Sequence, residues 1–281
     1  MADQVARNMW VLFEPVHAVT YFAPEARAAF EAAGLRGFWR GYFAGRAAPL
    51  GRVESAPVIA LFNSFAPQMV QRAIPDVWTR ATPEEAIVAR AEGATAALRT
   101  LAGSVDDRDV AEAADLAERA AGLARTSGRA LGAANAALPP PTDPLARLWQ
   151  STTTLREHRG DGHVAALVAA GLAGCLAVVL KAALENYPEI YGPARGWPEE
   201  DWASARAALA ARGYLADDGT PTAAGRAAYD EVEAVTDRLG GEVWQALGEA
   251  ETARLAELLR PLARASSDAM PFPNPIGLPR P

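Results

Sequence analysis

From Thr152 the chain reads Thr-Thr-Thr-Leu-Arg-Glu-His-Arg-Gly-Asp-Gly-His163. Arg156, Glu157, His158, Arg159, Asp161 and His163 are six ionisable residues within eight positions, and two of the chain's three histidines are among them. A run without charge, Val164–Leu180, follows directly. Charged groups at the mouth of a buried element need partners, from the protein or from a ligand. Arg156 and Arg159 share a helix face by their spacing and can clamp a carboxylate, phosphate or sulfate. His158, Asp161 and His163 can move protons near neutral pH. Glu157 can orient a histidine or take a proton from an amine. Thr152–Thr154 can donate hydrogen bonds to an anion, although threonine runs are also ordinary helix-surface text. A structural reading competes: Asp161 as a cap, the arginines paired with acids of other helices, the histidines merely hydrogen-bonded. Composition this concentrated beside a buried helix favours the functional reading.

Two further stretches carry candidate binding groups. His17 and Tyr21 are spaced to share one helix face. Leu35-Arg-Gly-Phe-Trp-Arg-Gly-Tyr-Phe-Ala-Gly-Arg46 alternates aromatics with Gly and Arg. It reads either as an anion-binding surface using Arg36 and Arg40, or as a Gly-rich turn with core aromatics and solvated arginines. The second reading has the edge.

Other chemistries lack their residues. Cys175 is the only cysteine, so a disulfide framework is excluded, and it reads as a small buried apolar residue. His158 and His163 are not at metal-ligand helix spacing, and no HExxH, Walker loop, GxGxxG or nucleophile motif occurs. No metal and no cofactor are expected. A net charge of −7 argues against a general nucleic-acid binder. Val164–Leu180 is short and Ala/Gly-rich for a membrane span, and reads better as a buried central helix. Met1-Ala-Asp-Gln4 has no basic start and apolar core, so a cytoplasmic protein is expected.

The positioning elements should be helices, since half the residues are hydrophobic and alanine dominates. Residues 5–22 suggest a helix broken or bent near Pro15. Pro24–Ala33 is a helix stopped by Gly34, and Ala66-Pro67 starts another towards Ile74. Thr82-Pro83-Glu84-Glu85 is a helix start with a capping residue, proline and acid in order. Further helices are expected to about Leu101, Arg125 and Ala137. Leu138-Pro-Pro-Pro-Thr-Asp-Pro144 is the strongest break. It divides an N-terminal domain, 1–138, from a C-terminal one, 144–265, with an extended Pro-rich tail, 266–281, on the body. A helix from Pro144 should end near His158. Gly160-Asp161-Gly162 reads as a turn, with Asp161 capping a second helix to about Asn186. Tyr187–Gly196 is loop text.

Trp197–Arg212 reads as a helix, Tyr214–Thr222 as a short hairpin with an Asp-Gly turn, and Ala223–Leu239 as a helix, with a last helix over Glu242–Arg260. This is the outline of a winged-helix module. The text Ala26–Leu35 echoes Ala205–Leu215, which suggests a second, degenerate module in the N-terminal half. The fold expected is mainly α, a helical bundle with a winged-helix-like module. DNA is a disfavoured partner. The helix before the wing opens with Glu199, Glu200 and Asp201, the wing tip holds Asp217 and Asp218, and only Arg206 and Arg212 are basic there.

The chain resembles an actinobacterial family of presumed winged helix-turn-helix proteins. The matching text is His17–Arg27, Gly34–Phe43, Leu155–His163, Arg212–Gly219, Thr236–Leu239 and Pro273–Pro279. The resemblance implies a link to natural-product pathways that close an aziridine ring. The reading that follows is a small-molecule enzyme without metal or cofactor, acting on an anionic metabolite by acid/base-assisted substitution or elimination. Its alternatives are a ligand-responsive transcriptional regulator and a non-catalytic partner subunit or scaffold. A homo- or hetero-oligomer is compatible with each.

Overall fold

The computed structural model describes residues 2–103, 105–185 and 187–279, and its regular elements are all helices. The first, α1 (Ala2–Phe22), runs through Pro15 without the expected break. An interior proline costs about 3 kcal/mol. Met9, Leu12, Phe13, Val16 and Val19 are all buried along this helix, and each such side chain contributes roughly 1.5–3 kcal/mol. The packed face therefore outweighs the missing hydrogen bond.

Next come α2 (Pro24–Ala32) and α3 (Phe38–Ala47). The Gly/Arg/aromatic stretch is thus a helix for most of its length, where a turn was expected. Gly41 and Gly45 are spaced one turn apart, and an added Cβ would come within 2.9 Å and 2.7 Å of the Phe30 ring. The glycines make a groove in which Phe30 lies. Phe43, Phe62 and Phe65 form a second core with α4 (Ser55–Leu61) and α5 (Pro67–Gln71). That last helix stops short of the expected Ile74.

Thr82 and Glu85 form a complete capping box at the start of α6 (Pro83–Ala102). Two more helices follow, α7 (Asp107–Gly122) and α8 (Ala130–Ala136). After the proline break, Asp143 caps α9 by accepting from Ala146 N at 2.9 Å. α9 extends from Pro144 to Ala169 as one helix. The turn expected at Gly160–Gly162 does not form. α8 lies so close that a Cβ on Gly132 would sit 2.9 Å from His158 Cα, and one on Gly162 would meet the Arg129 guanidinium. The glycines serve a helix–helix contact instead of a chain reversal. The main core joins α1, α6, α7 and α9 to α13 (Ala223–Leu247) and α14 (Glu249–Asp268).

The apolar run Val164–Leu180 is split. Gly171 and Gly174 adopt φ of 65° and 64°, and α10 (Cys175–Glu185) begins after them. The helix end expected at Asn186 lies outside the described residues. Among the described residues no helix is long and apolar enough to cross a membrane. α11 (Pro188–Arg195) occupies text expected to be loop, and α12 (Glu199–Ala211) follows it. The expected hairpin is reduced to one bridge, Leu215 to Pro221. The N-terminal half has no such bridge among its described residues. α13 (Ala223–Leu247) continues past the expected Leu239, and α14 (Glu249–Asp268) starts beyond Gly248, whose φ is 94°. In the tail, Met270 and Leu278 are buried beside Ala18 and Tyr21. The Asn274 side chain bonds both the N–H and the carbonyl of Leu278 at 3.0 and 2.9 Å, closing a tight loop.

Candidate active site

A cavity of about 630 Å³ opens between α1, α3, α9, α10, α11 and α13, with the tail residues Ile276, Gly277 and Pro279 as part of its wall. From α9 it receives Arg156, Glu157, Arg159 and His163, one helix turn apart or less. The i,i+3 and i,i+4 spacings of an unbroken helix carry these groups to one side. Had the chain turned at Gly160, His163 would have left this face.

Glu157 is the hub. It is 1% exposed. Arg46 of α3 grips it with two bonds, Nε to Oε1 at 2.9 Å and Nη2 to Oε2 at 2.8 Å. Arg156 Nη1 donates to the same Oε2 at 2.8 Å. Burial alone would raise the Glu157 pKa, but Arg156 and Arg46 hold it far below the usual carboxylate range. Glu157 is therefore an ionised anchor. Arg156 Nε reaches Glu14 at 3.3 Å, and Trp10 donates to the other Glu14 oxygen at 3.0 Å. Arg46 also lies over the Phe62 ring at 4.1 Å and donates to the Tyr42 hydroxyl at 2.9 Å.

The Arg159 guanidinium joins a second group. Its Nη2 donates to Asp237 at 2.9 Å and lies 3.6 Å from Glu233, while Arg7 reaches the same two acids at 2.7 and 2.5 Å. Arg159 stacks over Trp10 at 4.6 Å. The two arginines of the expected clamp therefore line one cavity but hold different acids.

His163 sits at the edge of this group. Its Nδ1 is 3.0 Å from Thr236 Oγ1, and that hydroxyl donates to Val232 O at 2.7 Å. The hydroxyl proton is thus committed, so Nδ1 must carry the hydrogen and Nε2 keeps its lone pair. Burial lowers the His163 pKa to about 4, against the opposing Glu233 and aided by Arg159. The imidazole is neutral at pH 7, with Nε2 available as a proton acceptor.

The other expected site residues lie elsewhere. His158 lines a small void with Phe13 and Trp244. Burial first, then Arg129, lowers its pKa to about 4. Asp161 accepts from Gly132 N at 2.9 Å, so it caps α8, not its own helix. Burial raises its pKa to about 6. His17 and Tyr21 do share a face and are bonded to each other, Tyr21 OH to His17 Nε2 at 2.9 Å. Thr153 holds Nδ1 at 2.9 Å while donating to Trp149 O at 2.8 Å, which makes Nδ1 the protonated nitrogen. This pair lies behind the cavity wall, in a water-sized void bounded by Tyr42 and Arg46. Thr152 and Thr154 also return their hydroxyls to α9 carbonyls, at 2.9 and 3.1 Å. The threonine run is therefore occupied within the helix and presents no anion donors. Arg36 is exposed, and Arg40 lies 3.9 Å from Asp76; neither lines the cavity.

Several cavity groups carry no motif in the sequence: Glu14, Arg195 and the acids of α13. Arg46 was visible only as one of three clustered arginines. Lys181 bonds Glu185 at 2.5 Å, and the Tyr191 hydroxyl donates to the same carboxylate. Gly277 has a φ of 67°, which favours glycine, and a Cβ there would come within 2.8 Å of the ends of the Lys181 and Tyr191 side chains. Among the described residues no group of three or more His, Cys, Asp or Glu is placed to hold a metal ion.

In the winged module the acids Glu199, Glu200, Asp201, Asp217 and Asp218 are all exposed. Arg212 bonds Gly171 O at 2.8 Å, tying α12 to the turn before α10.

A family model described as a helix-turn-helix family matches residues 6–273. No curated protein and no solved structure matches the chain. With nearly its whole length covered and a bridged turn between α12 and α13, the chain belongs to this helix-turn-helix family.

Proposed function

We propose that this chain is a small-molecule enzyme of the biosynthetic tailoring type, working in the central cavity. One observation carries the reading: Arg156, Arg159 and a neutral His163 line the same large cavity from one helix. Positive charge next to an unprotonated base suits an intramolecular displacement. The amine nitrogen forms the new C–N bond as the C–O bond to an anionic group breaks. The electron pair leaves with the anion among the arginines that line the cavity, and the N–H proton passes to His163 Nε2. Closure of an aziridine with loss of sulfate is the form of this reaction that the family resemblance suggests.

The test is sulfate release from 2-aminoethyl hydrogen sulfate, read by ion chromatography. Release above the uncatalysed rate should fall about a hundredfold in His163→Gln. It should also fall in Arg156→Gln, with both variants folded by circular dichroism. Absence of release, or full turnover in both variants, sinks the proposal.

The family membership favours a second reading, a ligand-responsive transcriptional regulator. Against it stand the exposed acids at the start of α12 and on the wing, where a DNA reader needs positive charge. Salt-dependent binding of the chain to a promoter fragment in a mobility-shift assay would favour this second reading over the first.

A further inference from the structure

Resting on the reading of the cavity as a small-molecule site, its charge pattern points to the class of ligand. Among the described residues, the charged side chains lining the cavity are nearly all paired. Arg46 and Arg156 hold Glu157 and Glu14, Arg7 and Arg159 hold Glu233, and Lys181 holds Glu185. Two lack an ionic partner: Arg195 and Asp230. They come from different elements, α11 and α13.

Arg195 is the stronger observation. It is partly withdrawn from solvent in the last turn of α11, over the Phe65 ring at 4.8 Å. Its guanidinium meets only carbonyls, Pro275 O at 2.6 Å and Ala194 O at 3.4 Å. Burial first, and then its neighbours Arg46 and Arg156, lower its pKa. Behind them Arg90, 4% exposed, also has no carboxylate and donates to Gly45 O and Asn135. Four guanidinium groups therefore face only Glu14 and Glu157. A buried excess of positive charge calls for an anion.

The same cavity also holds a neutral donor. Asn63 lines the same cavity two residues before Phe65, and its Oδ1 accepts from Gly174 N at 3.2 Å. That bond fixes the amide, and Nδ2 is buried with no partner. The loop is held against α11 by Ala66 N to Arg195 O at 2.9 Å. An unpaired cation and an orphaned N–H donor thus line the same cavity. Asp230 is exposed and lines the cavity from α13, with Tyr229 beside it in the lining.

We infer that the cavity takes a zwitterionic small molecule, with its anionic group seated on Arg195 and Asn63 and its ammonium group directed to Asp230.

The test is calorimetric titration of the full chain at constant ionic strength with inorganic phosphate and with O-phosphoethanolamine. Phosphate should bind, and Arg195→Gln should weaken it about tenfold or more. Arg195→Lys should restore part of the loss, and Asp230→Asn should leave phosphate unchanged. O-phosphoethanolamine should bind more tightly than phosphate, and Asp230→Asn should erase that gain. Unchanged phosphate affinity in folded Arg195→Gln overturns the seat. A phosphate affinity lost in Arg156→Gln but kept in Arg195→Gln overturns the seat and leaves the cavity reading standing. No gain from the ammonium group, or a gain that survives Asp230→Asn, overturns the zwitterion. No binding of either probe overturns the whole inference, and sulfate release would then decide the enzyme reading by itself.

Discussion

Replacing Glu157 with glutamine removes one negative charge and almost no volume, so it isolates the electrostatics of the hub. Three guanidinium bonds of 2.8–2.9 Å end on this carboxylate, which is 1% exposed. The glutamine amide would turn an N–H donor towards one of the arginine forks. Arg46 would keep no carboxylate among the described residues, and Arg156 only Glu14. At an effective dielectric of about 20, a charge pair at 4 Å is worth about 4 kcal/mol. Removing one partner of a buried pair costs about 3–5 kcal/mol, because the other charge stays buried. The expected loss of unfolding free energy is therefore about 3–5 kcal/mol, a large part of the 5–15 kcal/mol typical of a domain. Urea denaturation followed by tryptophan fluorescence reads it as a lower midpoint at unchanged slope. Since Glu157 has a lowered pKa in the fold, its stabilisation is complete above the unfolded carboxylate value near 4.5 and fades below it. The gap between wild type and variant should thus narrow under acid. A double-mutant cycle with Arg46→Gln should show coupling above about 1 kcal/mol. A loss below about 1 kcal/mol at pH 7, with the fold intact, would refute the account. It would mean that the guanidinium groups are as well solvated as those of surface pairs.

Three further variants address the α8–α9 contact. The pKa of Asp161 is raised to about 6 by burial, so its ionisation opposes folding: the contribution is present below the unfolded value near 3.8 and lost as pH rises through 6. Asp161→Asn keeps an acceptor for Gly132 N without the charge, and should raise the melting temperature at pH 7.5 but not below pH 3.8. Gly132→Ala places a methyl 2.9 Å from His158 Cα, a backbone atom that cannot move aside, and should cost about 1–3 kcal/mol in denaturation experiments. Gly162→Ala meets only the far end of the Arg129 side chain. Its cost should stay near the roughly 1 kcal/mol of the lost Arg129 to His158 carbonyl bond, partly offset by alanine's better helix propensity.

The local grammar of the chain already determines much of its helical content. Proline at first turns, Thr82 with Glu85, and Asp143 before Pro144 act within a few residues, so starts of α2, α6 and α9 are legible directly. So is the density of charge between Arg156 and His163. Whether Gly160-Asp161-Gly162 turns or stays helical depends on α8 lying against it, a contact made by residues about thirty positions away. The same holds for Pro15, tolerated because α1 is packed on several sides. The pairing of Arg46 with Glu157 spans 111 positions, and that of Arg156 with Glu14 spans 142. Which arginines are neutralised and which remains unpaired is a property of helix packing, because ion pairs form between groups brought near in space. Composition shows that Arg156, Arg159 and Arg195 are charged. Only the tertiary structure leaves Arg195 without an acid among the described residues and sets it on the wall of the cavity.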